Sequence, residues 1–169
     1  FVASEFSMLN LERNEIEARA ERGEKGLSST IRALKRTATH LSGAQLGITL
    51  TTMLTGFLAE PALSHILEGS VSPVVALVLT MFITTLFSTL FGELVPKKLA
   101  LTMPLAVNRF VVNFQLAFTL IFSWMIAILN AAGNGIVRSM GIEPKEELSS
   151  ARTAEELSSL VRRSASLGA

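Results

Sequence analysis

A carboxylate stands at the end of the most apolar stretch of this chain. No charged residue occurs between Gly69 and Gly92, and Glu93 then arrives within Phe91-Gly92-Glu93-Leu94-Val95-Pro96-Lys97-Lys98. The run is long enough to cross a bilayer, for which a helix needs about 20 residues. A glycine before the acid and a proline after it predict a helix break at Gly92 and Pro96. Carbonyls freed by such a break, beside a carboxylate at membrane depth, are ligands for a hard cation. A broken helix carrying an acid is a candidate ion site. Spacing alone leaves a second role open, with Glu93 at the interface and paired to Lys97 one turn later.

The rest of the chain fits a membrane setting. Hydrophobic residues make up 49% of the 169 residues and charged residues 17%, below the roughly 25% charged of soluble domains. Net charge is +1, which gives no sign of a nucleic-acid partner. Cysteine is absent, so thiolate metal sites, disulfides and cysteine nucleophiles are excluded. The sequence opens on Phe1, and only four residues precede Glu5. That start is expected to be a cut inside a first membrane helix, with no complete signal peptide visible.

The remaining segments follow from composition and periodicity. Phe1 to Arg22 reads as one helix leaving the membrane, apolar early and charged late, ended by Gly23 and Gly26. Ser28 to His40 reads as an amphipathic helix, with Ile31, Leu34 and Ala38 on one face. Together they form a hairpin expected on the membrane surface. Leu41 to Ala59 is uncharged and reads as a membrane helix. Its Gly43, Gly47, Thr49, Thr51, Thr52, Thr55 and Gly56 suit close helix contact and intramembrane hydrogen bonds. Glu60-Pro61 is expected to close it, with Glu60 to Ser72 as a short connection. Val71 to Leu94 is the next span. Phe110 to Val137 is a further apolar stretch, and Asn130 to Gly135 reads as a turn between two short helices or as the tail of one long helix. From Glu143 onward the chain is polar, and Thr153-Ala154-Glu155-Glu156 resembles a capping box ahead of an amphipathic helix.

Lysine and arginine set the expected topology. Arg13, Arg19, Arg22, Lys25, Arg32, Lys35 and Arg36 place the first connection in the cytoplasm. The Glu60 to Ser72 connection has neither residue type and belongs outside. Lys97, Lys98 and Arg109 return the chain inside, and Arg138, Lys145, Arg152, Arg162 and Arg163 keep the C-terminus there. Phe110 to Val137 then enters and leaves on one side, as a re-entrant hairpin. A fourth crossing is the alternative from length. The expected fold class is an all-α membrane protein with three transmembrane helices, a re-entrant helical hairpin and juxtamembrane amphipathic helices.

Three elements carry a family resemblance. They are Phe1-Val2-Ala3-Ser4-Glu5-Phe6-Ser7, Leu41-Ser42-Gly43-Ala44-Gln45-Leu46-Gly47-Ile48-Thr49-Leu50, and Phe91-Gly92-Glu93-Leu94-Val95-Pro96-Lys97. In order and character they resemble the transmembrane domain of the CNNM/CorC family, the magnesium and cobalt efflux-type, hemolysin-like membrane proteins. The third element is the most specific, matching a G-E-x-x-P-K/Q pattern. The resemblance implies a domain at 1–142 and, at 143–169, a linker helix toward a cytoplasmic CBS pair. Nucleotide would bind only through that pair. It also implies a homodimer in the cell membrane, with a cytoplasmic C-terminus, a lipid bilayer around it and no nucleic acid. The implied function is divalent cation transport, with Mg2+ as the ion and Na+ as a coupling ion for export. The implied cation ligands are Ser4, Gln45, Thr49, Gly92 and Glu93. Many members carry an asparagine where this chain has Ile48, and Thr49 or Gln45 stands in for it.

Two other functions compete. A membrane-anchored scaffold would hold the nucleotide-binding module and move no ion. An intramembrane hydrolase would need Ser4, Ser7 or Ser42 as nucleophile and His40 or His65 as base. The expected topology places the two histidines on opposite sides, and no G-x-S-x-G or H-E-x-x-H motif is present. The chain is therefore expected not to be an enzyme. His40 is expected at the interface, His65 in a loop, and Trp124 and the phenylalanines of Phe110 to Phe122 against lipid.

Overall fold

The computed structural model describes residues 1–67 and 71–143. The expected linker helix after residue 143 lies outside the described residues. The elements are α1 (Val2–Leu9), α2 (Arg13–Glu21), α3 (Ser28–Leu34), α4 (Thr37–Leu67), α5 (Pro73–Phe87), a π-helical segment (Ser88–Leu94), α6 (Val95–Thr102), α7 (Pro104–Ile121) and α8 (Ser123–Ser139). Phe1–Ile126 forms one compact unit, and Ala127 onward belongs to a second.

Three helices are long and apolar enough to cross a membrane: Thr37–Leu67, Pro73–Thr102 and Pro104–Ile121. Two of these are the expected spans. The third lies in the segment expected to be re-entrant, while α1 has only eight residues. Apolar side chains on these helices face outward, with Phe57 76%, Phe82 66% and Phe110 88% exposed. Such surface is stable against lipid, where a helix satisfies its own backbone polar groups.

The buried core lies at the charged end. Met8, Ile16, Leu27, Ala33, Leu34, Leu41 and Val112 pack as one cluster. It joins the α2–α3 hairpin to α1, α4 and α7. Full burial of a side chain such as Ile16 contributes about 1.5–3 kcal/mol. Polar ties add to it. Glu24 bridges Arg19 (3.3 Å) and Arg109, and Arg109 also donates to the Lys25 carbonyl at 3.3 Å. Gly23 (φ +92) closes α2 as expected, with Gly23 N–H on the Ala20 carbonyl and Glu24 N–H on that of Arg19.

Several boundaries differ from expectation, each for a local reason. Phe1 to Arg22 is two helices, because the Asn10 side chain donates to the Phe6 carbonyl at 2.8 Å and ends α1. Ser28 to His40 is also divided: Thr37 Oγ1 donates to the Leu34 carbonyl at 2.9 Å, and His40 falls in the first turns of α4. Pro61 does not close α4, which runs on to Leu67. Of the two alternatives for Asn130 to Gly135, a turn or a helix tail, the segment is helical. The interruption comes instead at Phe122 (φ −95, ψ 12), between α7 and α8. In the second unit, α8 ends at Gly141 (φ +77), with Ile142 N–H on the Val137 carbonyl.

Glycines set the closest helix approach. A Cβ at Gly47 would clash with the Phe1 ring, and one at Gly43 would lie 2.7 Å from Thr119 Oγ1. Gly47 is therefore covered by Phe1 and Gly43 by α7.

Candidate functional site

The helix bearing Glu93 stays helical through the expected break. Pro96 lacks an N–H, and in α register its ring would press on the Gly92 carbonyl. The chain widens instead into π turns over Ser88–Leu94, and Val95 N–H reaches back to the Leu90 carbonyl. Gly92 has no positive φ. The departure from α geometry is where the sequence placed it, but it is a widening and not a break.

The widening faces a cavity of about 780 Å3 between α1, α4 and the α5–π segment. Two carboxylates line it, Glu5 and Glu93, and no lysine, arginine or histidine does. From α5 and the π segment come Thr84, Thr85, Ser88, Thr89 and Gly92, which share one helical face with Glu93. From α4 come Gln45, Ile48, Thr49, Thr51, Thr52 and Thr55. Several of these hydroxyls spend their proton on their own helix. Thr49 donates to the Gln45 carbonyl (3.0 Å), Thr51 to that of Gly47 (2.8 Å) and Thr55 to that of Thr51 (2.8 Å). Their oxygens keep lone pairs for a cation. Gln45 Nε2 makes a long contact, 3.5 Å, to Glu5 Oε1.

Four of the five residues proposed as ligands, Gln45, Thr49, Gly92 and Glu93, line this one cavity. Ser4 does not. It is buried at 2% exposure, and its hydroxyl has no hydrogen-bond partner among the described residues. Glu5 joins the cavity as its second carboxylate. The stripe Thr84, Thr85, Ser88, Thr89 was missed. Hydroxyls at four-residue spacing in an uncharged helix were the available signal.

Glu93 is free of Lys97. The Lys97 ammonium lies over the Phe6 ring, 4.5 Å from its centroid, and among the described residues Glu93 makes no ion pair. No group of three or more His, Cys, Asp or Glu side chains is placed to hold a metal among those residues. Two carboxylates with neutral oxygens suit an ion that keeps part of its water shell. Six waters at about 30 Å3 each occupy roughly 180 Å3, so the cavity has room for one.

Two of the candidate hydrolase groups, Ser7 and His40, are engaged elsewhere. Ser7 Oγ donates to the Ser4 carbonyl (3.0 Å) and accepts from Asn108 Nδ2 (3.1 Å). His40 is buried against α7, with Nδ1 3.0 Å from Thr119 Oγ1. Gln115 Nε2 donates to Thr119 Oγ1 and to the His40 carbonyl, both at 3.1 Å. This polar cluster joins α4 to α7.

A family model described as the Cyclin M transmembrane N-terminal domain matches residues 1–169. The chain belongs to the CNNM family. This family is a membrane transporter-type family, generally linked to divalent cation transport. Among curated relatives, this CNNM domain is 46% identical over 178 residues to the UPF0053 protein MT1890 of Mycobacterium tuberculosis, covering all of this chain and 39% of the relative. It is 35% identical over 173 residues to the uncharacterized protein MT1889 of the same organism, covering 99% of this chain and 50% of the relative. The UPF0053 protein YhdT of Bacillus subtilis is 36% identical over 74 residues, 44% of this chain and 16% of the relative. The chain thus spans half or less of the length of these relatives. No solved structure matches it significantly.

Proposed function

We propose that this CNNM domain moves a divalent cation, magnesium first, across the cell membrane through the cavity between Glu5 and Glu93. One observation carries the proposal: two carboxylates and two facing stripes of hydroxyls share a space that no basic side chain enters. Glu93 supplies the essential charge, and Gln45, Thr49 and the Gly92 carbonyl supply neutral oxygens. Ser4, buried beside Glu5 in sequence, joins the ligands if α1 turns during transport. Export coupled to sodium entry, a homodimer, a cytoplasmic C-terminus and a nucleotide-binding CBS pair beyond residue 143 complete the proposal. They rest on the family resemblance.

Magnesium-dependent thermal stabilisation of the full-length protein tests the site. An ion at 100 times its Kd stabilises the bound state by about 2.7 kcal/mol. Glu93→Ala is expected to abolish the shift, and an equal shift in both proteins would refute the assignment. A second function is favoured by Ile48, an apolar residue in the cavity wall where many members carry an asparagine. In it the domain binds an ion as an anchored scaffold and does not move it.

A further inference from the structure

Lys97 is the cation nearest in sequence to the proposed site, and its position needs a cause. It follows Glu93 by four residues, with the acid N-terminal to the base, the favourable order for an ion pair on a helix. Both residues belong to one continuous helical segment, Pro73–Thr102. The pair is nonetheless unmade, and the ammonium lies over the ring of Phe6, on α1. Phe6 is fixed in turn. Asn10 Nδ2 holds its carbonyl at 2.8 Å, and α1 packs against α6. Phe6 lines the cavity and Lys97 does not.

We propose that Phe6 is a positioning residue that parks Lys97 away from Glu93, so that the site carboxylate stays open to the transported cation. This rests on the function proposed above. A tethered ammonium competes with a divalent ion for the same oxygens. A half-buried aromatic face binds an ammonium more strongly than an exposed carboxylate one helical turn away does. Without the ring, Lys97 returns to Glu93, and the protein carries its own competitor. The apparent affinity then falls by the fraction of sites left open. If the pair forms about two-thirds of the time, as a helical pair of that strength does, magnesium binds about three-fold more weakly.

The test measures magnesium affinity by calorimetry, and KM and maximal flux in proteoliposomes, on the full-length protein. Phe6→Leu is expected to raise Kd and KM about three-fold. Phe6→Tyr, which keeps the aromatic face, is expected to retain wild-type affinity. Phe6→Leu with Lys97→Met is expected to recover it. Phe6→Leu with Lys98→Met removes a neighbouring charge of the same sign and is expected to stay weak. Unchanged affinity in Phe6→Leu overturns the proposal. So does failure of Lys97→Met to rescue, which would make Phe6 a packing residue, and so does equal rescue by Lys98→Met, which would make the effect one of general charge. If Glu93→Gln binds magnesium as wild type does, the site assignment itself fails, separately from these comparisons.

Discussion

Replacing Gly43 with alanine adds one methyl group at the tightest approach of α4 to α7. Its Cβ would lie 2.7 Å from Thr119 Oγ1, 3.2 Å from Gln115 Nε2 and 3.2 Å from Ile126 Cδ1. Thr119 Oγ1 cannot swing aside freely, because His40 Nδ1 (3.0 Å) and Gln115 Nε2 (3.1 Å) hold it. Overpacking of this kind costs about 1–3 kcal/mol. Loss of one buried hydrogen bond adds about 1 kcal/mol, and alanine recovers about 1 kcal/mol over glycine in a helix. The net expectation is a loss of about 1–3 kcal/mol. For a chain of this size each kcal/mol lowers Tm by about 2–4 °C, so a fall of roughly 2–12 °C is expected. Fluorescence of the single tryptophan, Trp124, reports it during thermal unfolding in lipid nanodiscs. Thr119→Ala removes the clashing oxygen, so Gly43→Ala should cost much less in that background, with a coupling of about 1 kcal/mol or more. A wild-type Tm for Gly43→Ala, or the same cost with and without Thr119→Ala, would refute the packing argument.

Two further perturbations separate charge from backbone geometry. Glu5→Gln halves the number of carboxylates in the cavity and is expected to weaken magnesium binding about three- to ten-fold, or ~0.7–1.4 kcal/mol. Unchanged affinity in a calorimetric titration would remove Glu5 from the ion path. Gly92→Ala is expected to leave stability within about 0.5 kcal/mol of wild type, since its Cβ would meet only Ser88 Oγ at 3.7 Å and its φ is not positive. A large loss of Tm would mean that the π turns need glycine itself.

The membrane character, the helical class and the family were legible because they rest on long patterns. Charge-free runs, glycine spacing on α4 and the G-E-x-x-P-K element each survive small errors in boundaries. What was missed depends on single competing interactions. Proline at position 61 looked like an end, yet α4 continues past it. The pairing of Glu93 with Lys97 was open from spacing, and a ring from α1, distant in sequence, decided it. The polar face of α7 was readable in principle, since Asn108, Gln115 and Thr119 share its buried side. The phenylalanines interspersed with them, from Phe110 to Phe122, make the same stretch read as lipid-facing. Glu5 was undecidable from α1 alone, because its role depends on facing Gln45 and Glu93 across a cavity that three segments build.

The central claim is that Glu93 carries a cation through this cavity. Magnesium flux in proteoliposomes under a sodium gradient, comparing the full-length wild type with Glu93→Gln, tests it most directly. Flux in the wild type, lost in a mutant that keeps its thermal unfolding profile, is the predicted result. Equal flux in the two proteins, or none in a folded wild type, would contradict it.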